Sequence, residues 1–226
     1  MKLDSIRLVS ETPKLDDKTK KRIVAKMATV RDVVSEIEKA SGVSYPVYYI
    51  DPILTISISP DVNGGIGILY ARTIPVETRG TVEIVIQVSA ALVLYSTKTT
   101  LRLVLAHEFL HYLELVKRFS GGEILSQLSS SSMFEEQFDD TRKTANPLTV
   151  FPKKRKLAKD LASNFLSGFS DDKLNEKCRK SWIEKGLPTV KISMGANQVK
   201  ISMESLARSS FDPKVLELMS KLDLPK

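Results

Sequence analysis

The residues best suited to chemistry form one short run near the middle of the chain, His107-Glu108-Phe109-Leu110-His111. These two histidines are the only histidines in the sequence. On a helix they would lie one turn apart on the same face, so both imidazole rings could bind one metal ion. Glu108 would lie about a third of a turn away, beside a water on the metal. The spacing predicts a zinc site with Glu108 as general base.

The run resembles the motif of the zincin metallopeptidases, in which a strand precedes a helix that carries His-Glu-x-x-His. Residues Val82–Leu115 follow that order, and the resemblance extends over roughly residues 45–145. It implies hydrolysis of a peptide or protein substrate at one zinc ion. Such a site has three protein ligands and an open fourth position.

The third ligand must be a carboxylate, because no further histidine exists. The metzincin version of the motif is excluded, since Glu114 stands where that pattern has glycine and Lys117 where it has its last histidine. Glu114 shares the face of the histidines but lies two turns from His107, which suits a carboxylate beside the ligands or on the surface. Glu123 is a minor candidate.

The gluzincin version, with a glutamate followed four residues later by an aspartate on a second helix, has two overlapping matches: Glu135 with Asp139 and Glu136 with Asp140. If residues 133–143 form a helix, its inward face puts Glu135 at the border and Glu136 nearly opposite. Glu135 is therefore the preferred ligand and Glu136 the alternative. By resemblance, Asp139 would accept a hydrogen bond from a ligating histidine.

The elements that must position these residues follow from hydrophobic periodicity. A stripe of apolar residues predicts a helix over residues 17–40 that ends at Gly42. Strands are predicted at 47–50, 53–59, 66–72 and 81–88, and the largely apolar run at 99–119 predicts a buried helix that carries the motif. Residues 2–9 could form a first strand.

Beyond residue 145 the pattern is mainly helical. Helices are predicted around Leu157 and Leu161, over residues 171–185, and after Asp212-Pro213. The repeated strand-like runs at 190–194 and 199–203 predict a hairpin near residues 189–203. The fold predicted is α+β and zincin-like, with a small mixed sheet packed on an N-terminal helix and an active-site helix. Residues 1–145 would form the catalytic domain, and residues 146–226 a basic, mainly helical subdomain.

Charge separates the two parts of the chain. Residues 1–150 hold 18 Lys and Arg against 18 Asp and Glu, and the remainder holds 16 against 9, so the whole net charge of +7 lies in the last third. This asymmetry, and the basic run Lys153–Lys156, suggest as an alternative a nucleic-acid-associated protease or binder. An inactive zincin-fold regulator is a further alternative, although such a protein would not need Glu108. Arg142, or a lysine of the basic run, is the candidate oxyanion donor.

Two further expectations concern the single cysteine and the location of the protein in the cell. The single cysteine, Cys178, cannot form an internal disulfide and is expected to be a buried structural thiol. The N-terminal residues lack the apolar core of a signal peptide, and the longest apolar run is too short to span a bilayer. A cytoplasmic protein without a membrane partner is therefore expected.

Overall fold

The architecture is α+β, in a computed structural model that describes residues 5–58, 66–120, 133–137, 144–165, 169–192 and 198–222. The helices there are α1 (Arg7–Glu11), α2 (Asp17–Ser41), α3 (Ala90–Tyr95), α4 (Lys98–Ser120), α5 (Pro147–Val150), α6 (Arg155–Asn164), α7 (Asp172–Cys178), α8 (Met203–Ala207) and α9 (Pro213–Leu222). A π-helical turn, Arg179–Ile183, continues α7. The strands are β1 (Tyr48–Asp51), β2 (Leu54–Ile58), β3 (Ile66–Leu69), β4 (Ala71–Thr78), β5 (Thr81–Ser89), β6 (Met133–Gln137), β7 (Thr189–Ile192) and β8 (Gln198–Ser202).

The described strands form two mixed three-stranded sheets and one two-stranded ribbon. In the first sheet, of order β1-β5-β4, β5 is parallel to β1 and antiparallel to β4. In the second, of order β3-β2-β7, β2 is antiparallel to β3 and parallel to β7. The ribbon pairs β6 with β8 in antiparallel register. The chain passes from the second sheet to the first at Tyr70, between β3 and β4.

The motif helix α4 lies in the centre of the molecule. It packs against α2 on one side and against β4 and β5 on the other. Buried apolar residues occur all around it, including Leu101, Leu105, Phe109 and Leu113. A helix that is apolar nearly all round belongs in a core, so the predicted buried helix is confirmed.

The long N-terminal helix α2 is also confirmed, and local chemistry explains both of its ends. The Asp16 carboxylate accepts a hydrogen bond of 2.7 Å from the Thr19 backbone N–H, which satisfies a free donor of the first turn. At the other end Gly42 has φ +81°, where a side chain would be strained. Buried Ile23, Val30 and Ile37 then form the stripe that faces α4 and α3.

Two elements predicted within residues 1–145 are wrong, one near each end of that range. Residues 7–11 form helix α1, not a strand, and an i,i+4 ion pair of 2.8 Å joins Arg7 to Glu11 along it. Residues 133–137 form strand β6, although Met, Glu and Gln are good helix formers. Pairing with β8 over five residues outweighs that local preference.

The predicted hairpin near residues 189–203 is also wrong, because its two strands lie in different sheets. β7 runs parallel to β2, with Thr189 opposite Leu54, whereas β8 pairs with β6. The carbonyl of Pro188 accepts hydrogen bonds of 2.9 Å from both the Leu54 N–H and the Trp182 Nε1–H. The buried indole of Trp182 thus helps to hold β7 beside β2.

Two further observations concern the single cysteine and the search for a membrane-spanning helix. Cys178 is fully buried, and burial raises the pKa of its thiol to about 11, as expected of a structural cysteine. Among the described residues, no helix has both the length and the apolar character needed to cross a membrane.

Candidate metal centre

Helix α4 brings the two histidines together as the sequence predicts. The Nε2 atoms of His107 and His111 are 3.0 Å apart, and the two rings are nearly perpendicular at 84°. Two nitrogen ligands on one tetrahedral zinc ion would be separated by about 3.3 Å, given zinc–nitrogen bonds of about 2.05 Å. Both rings are partly exposed, so one ion could reach both nitrogens. The pair therefore has the spacing of two ligands to one metal.

The electrostatic environment favours the protonation state that a metal needs. Burial, and secondarily the neighbouring His111, lowers the pKa of His107 to about 3. The imidazole is then neutral at physiological pH, and only the neutral ring can bind a metal through nitrogen. The absence of a competing proton removes one cost of metal binding.

Glu108 lies between the two histidines in sequence, and its side chain contacts β4. Its side chain is only 7% exposed. The Thr73 hydroxyl of β4 lies 2.8 Å from its Oε2 atom and 2.9 Å from its backbone carbonyl oxygen. Burial raises the pKa of Glu108 to about 7, although the Thr73 hydrogen bonds lower it. A carboxyl group with this pKa can both accept and return a proton near neutral pH.

Strand β4 positions Thr73 through the register of its sheet. Thr73 lies opposite Ile86 of β5, on the face that packs against α4. Arg72, opposite Gln87, lies on the other face because neighbouring strand residues alternate. β4 is an edge strand among the described residues, which accommodates Pro75 within it.

For the base role predicted of Glu108, Thr73→Val should move the acid limb of the pH profile of kcat/KM upward by about one pH unit, since Thr73 favours the ionised carboxylate. A hydrogen bond to a charged group contributes about 1.5 kcal/mol or more, and the Thr73 hydroxyl favours the ionised form of Glu108. Thr73→Ser retains the hydroxyl and is the matched control, expected to keep the wild-type profile. An acid limb at the same pH in both variants would contradict this role.

The predicted third ligands lie on β6, and the structure does not test them. Glu135 is opposite Lys200 and Glu136 opposite Val199 in the ribbon. Consecutive residues of a strand belong to opposite faces, so the helical stripe that favoured Glu135 does not apply. Asp139, Asp140, Glu123 and Arg142 lie outside the described residues. Glu114 lies on α4, partly exposed.

The structure therefore brings His107 and His111 together and places Glu108 against Thr73, and the ligand set beyond the two histidines stays a prediction. Within the described ranges, no group of three or more His, Cys, Asp or Glu side chains is positioned to hold a metal ion. Ala145 lies against α4, since its N–H donates a 3.3 Å hydrogen bond to the Leu110 carbonyl. That contact lies within one residue of His111.

Two residues of the site were missed by sequence reasoning. Thr73 lies just beyond the predicted strand 66–72. The run at residues 73–78, Thr-Ile-Pro-Val-Glu-Thr, is nevertheless rich in β-branched residues, which favour a strand. Phe165 stacks on the His107 ring, with ring centroids 3.7 Å apart and planes 12° apart. No sequence pattern links Phe165 to His107, because their contact is purely tertiary.

Comparison of the chain with protein-family models, curated proteins and solved structures finds no significant match. The chemistry of the residues around α4 is therefore the basis for a functional proposal.

Proposed function

We propose that this chain is a zinc-dependent metallopeptidase of the gluzincin-like type, which hydrolyses peptide bonds at a centre built on α4. The observation that carries the proposal is the 3.0 Å separation of the His107 and His111 Nε2 atoms, with the buried Glu108 carboxyl group between them in sequence. Neutral imidazoles and a carboxylate are the donor set that zinc takes in hydrolytic sites. His107 and His111 supply the nitrogen part of that set.

Zinc would be held by His107, His111 and a carboxylate of β6, for which Glu135 is the proposed ligand and Glu136 the alternative. Asp139 would orient one of the histidines by accepting a hydrogen bond from its other ring nitrogen. When bound, the ion supplies Lewis acidity to the attacking water and to the scissile carbonyl.

Glu108 is the proposed general base and acid. It accepts a proton from the attacking water and later returns it to the leaving amine. Its pKa of about 7 matches this double role, because the ideal catalytic pKa lies near the working pH. Thr73 holds the carboxyl group through Oε2, which limits the positions from which it can take the proton.

The substrate would bind as an extended peptide along β4. This strand is at an edge of its sheet among the described residues, and it carries Thr73, the residue that contacts Glu108. An edge strand presents backbone donors and acceptors with which an extended chain can pair. A peptide on that edge would pass beside the catalytic carboxyl group.

The basic run Lys153–Lys156 supports the second candidate, a nucleic-acid-associated protease or binder. Its four residues are exposed at and just before the start of α6, and none forms an ion pair with another described residue. Nucleic-acid binding by these residues would weaken steeply with rising salt. An inactive regulator is less favoured, since a purely structural zinc site has no use for Glu108.

The proposal predicts one zinc ion per chain in protein purified without chelators, measured by elemental analysis. Removing the metal with 1,10-phenanthroline should abolish cleavage of a mixed peptide library, and added zinc should restore it. His107→Ala and His111→Ala should each lose the metal, while Glu114→Ala on the same helix should keep it. Wild-type protein without zinc, or cleavage that survives metal removal, contradicts the proposal.

A further inference from the structure

An aromatic stack covers one of the two histidines on a side that the proposed chemistry does not use. The Phe165 ring lies parallel to the His107 imidazole, with centroids 3.7 Å apart. Phe169 stacks in turn on Phe165 at 5.1 Å, and Tyr70 meets Phe169 edge-on at 6.3 Å. Three aromatic rings from two distant parts of the sequence thus end on the imidazole.

Both ends of the stack are anchored. Phe165 directly follows α6, and its N–H donates a 3.3 Å hydrogen bond to the Leu161 carbonyl. α6 is held in the core by Leu157, Ala158 and Leu161, all buried. The Tyr70 hydroxyl donates a 2.6 Å hydrogen bond to Asn175 Oδ1 of α7. Phe165 is therefore held in place through α6, and Phe169 and Tyr70 lie beyond it in the stack.

The imidazole of His107 receives no orienting hydrogen bond of the usual kind from any residue that the structure describes. Metal-binding histidines generally donate a hydrogen bond from the second ring nitrogen, which fixes the ring and its tautomer. Across the described part of the chain, the hydrogen bond that His107 makes through its side chain is the one between its Nε2 atom and His111 Nε2. The parallel Phe165 ring is the neighbour whose geometry restricts rotation of the imidazole.

We propose that Phe165 is a positioning residue for the metal centre, holding the His107 ring in the plane from which Nε2 meets the ion. This inference rests on the proposed zinc site and adds to it. A stacked ring permits sliding within its plane but resists tilting, because tilting costs both ring contact and buried apolar area. A pre-oriented ligand loses less conformational freedom when the metal binds.

The experiment compares zinc affinities of the full chain by competition with a chromophoric chelator. Phe165→Leu keeps apolar volume but removes the flat ring, and it should raise the Kd for zinc about tenfold, the range seen when an orienting partner of a ligand is lost. Phe165→Tyr retains the ring and should keep the wild-type Kd. Phe169→Leu is the matched control, the same change one ring farther from His107, and should alter the Kd less than about twofold.

A second measurement reads orientation without activity. In cobalt-loaded protein, Phe165→Leu should change the visible d–d absorption and Phe169→Leu should not. In metal-free wild-type protein, the His107 ring protons should be shifted upfield by the Phe165 ring current, relative to His111. With two histidines in the chain, His111→Ala assigns the signals.

The outcomes separate this inference from the proposed function. Absence of zinc from wild-type protein overturns the proposed function and the inference with it. Zinc binding in wild type with an unchanged Kd in folded Phe165→Leu, or equal losses in Phe165→Leu and Phe169→Leu, overturns the positioning role alone. If Phe165→Leu does not fold, the wild-type ring-current shift decides, and its absence overturns the inference.

Discussion

Glu108→Gln is expected to retain one zinc ion per chain and to lower kcat/KM at least about 100-fold, since loss of a general base typically costs two to four orders of magnitude. The amide has nearly the shape of the carboxyl group, and it can still meet the Thr73 hydroxyl that lies 2.8 Å from Oε2. It cannot accept the proton from water. Metal analysis and steady-state kinetics on one preparation separate loss of the base from loss of the metal.

Glu83→Gln is the control for this substitution, because it removes the same charge from an exposed residue of β5 that lies away from the site. It should keep wild-type kinetics. If Glu108→Gln retained full hydrolysis, Glu108 would not be the base. If it lost zinc as well as activity, Glu108 would be a ligand and not a base.

The Glu108→Gln variant should also be more stable to unfolding than the metal-free wild-type protein at alkaline pH. Burial raises the pKa of Glu108 to about 7, so the folded protein releases this proton at higher pH than the unfolded chain does. The free energy of unfolding of the wild type therefore falls relative to that of Glu108→Gln as pH rises from about 4.5 through about 7. At pH 8 the difference should be on the order of 3 kcal/mol, and below pH 4 it should vanish. Denaturant unfolding in the presence of chelator measures it.

Glu135→Ala is expected to reduce bound zinc to a small fraction of the wild-type content, while Glu136→Ala leaves it unchanged. Removing one of three protein ligands leaves two imidazoles, which hold zinc weakly. The two residues occupy consecutive positions of β6, opposite Lys200 and Val199, and consecutive residues of a strand belong to opposite faces. At most one of them can therefore serve the site, and each variant is the control for the other.

The reverse result, zinc lost only in Glu136→Ala, would assign the alternative ligand and leave the proposed function standing. Zinc retained in both variants would exclude β6 as the source of the third ligand. Circular dichroism of each variant checks that the pairing of β6 with β8 survives the substitution.

The elements predicted correctly are those whose information is local. Apolar residues at helical spacing predict α2, Gly42 predicts where it ends, and a largely apolar run predicts α4. Such helices depend on interactions within one or two turns, which a sequence displays directly. The His107–His111 pair belongs to this class, because four residues on a helix suffice to place both rings on one face.

The strand β6 and the hairpin near residues 189–203 are predicted wrongly because their partners lie far away in the chain. β6 was mistaken for a helix because its partner β8 follows more than 60 residues later, and pairing outweighed the preference of its residues. The repeated runs at 190–194 and 199–203 look like a hairpin, yet β7 adds to β2 and β8 adds to β6.

By itself, the sequence determined the candidates for a metal-binding pair and a base: the histidine pair and Glu108, on a helix that a largely apolar run predicts. Only the tertiary structure decided what surrounds them. It placed Thr73 of β4 against Glu108 and Phe165 against His107, and it moved Glu135 and Glu136 from a helix face to a strand. The reason is physical: helical neighbours are four residues apart, whereas strand pairing and ring stacking join residues at any separation.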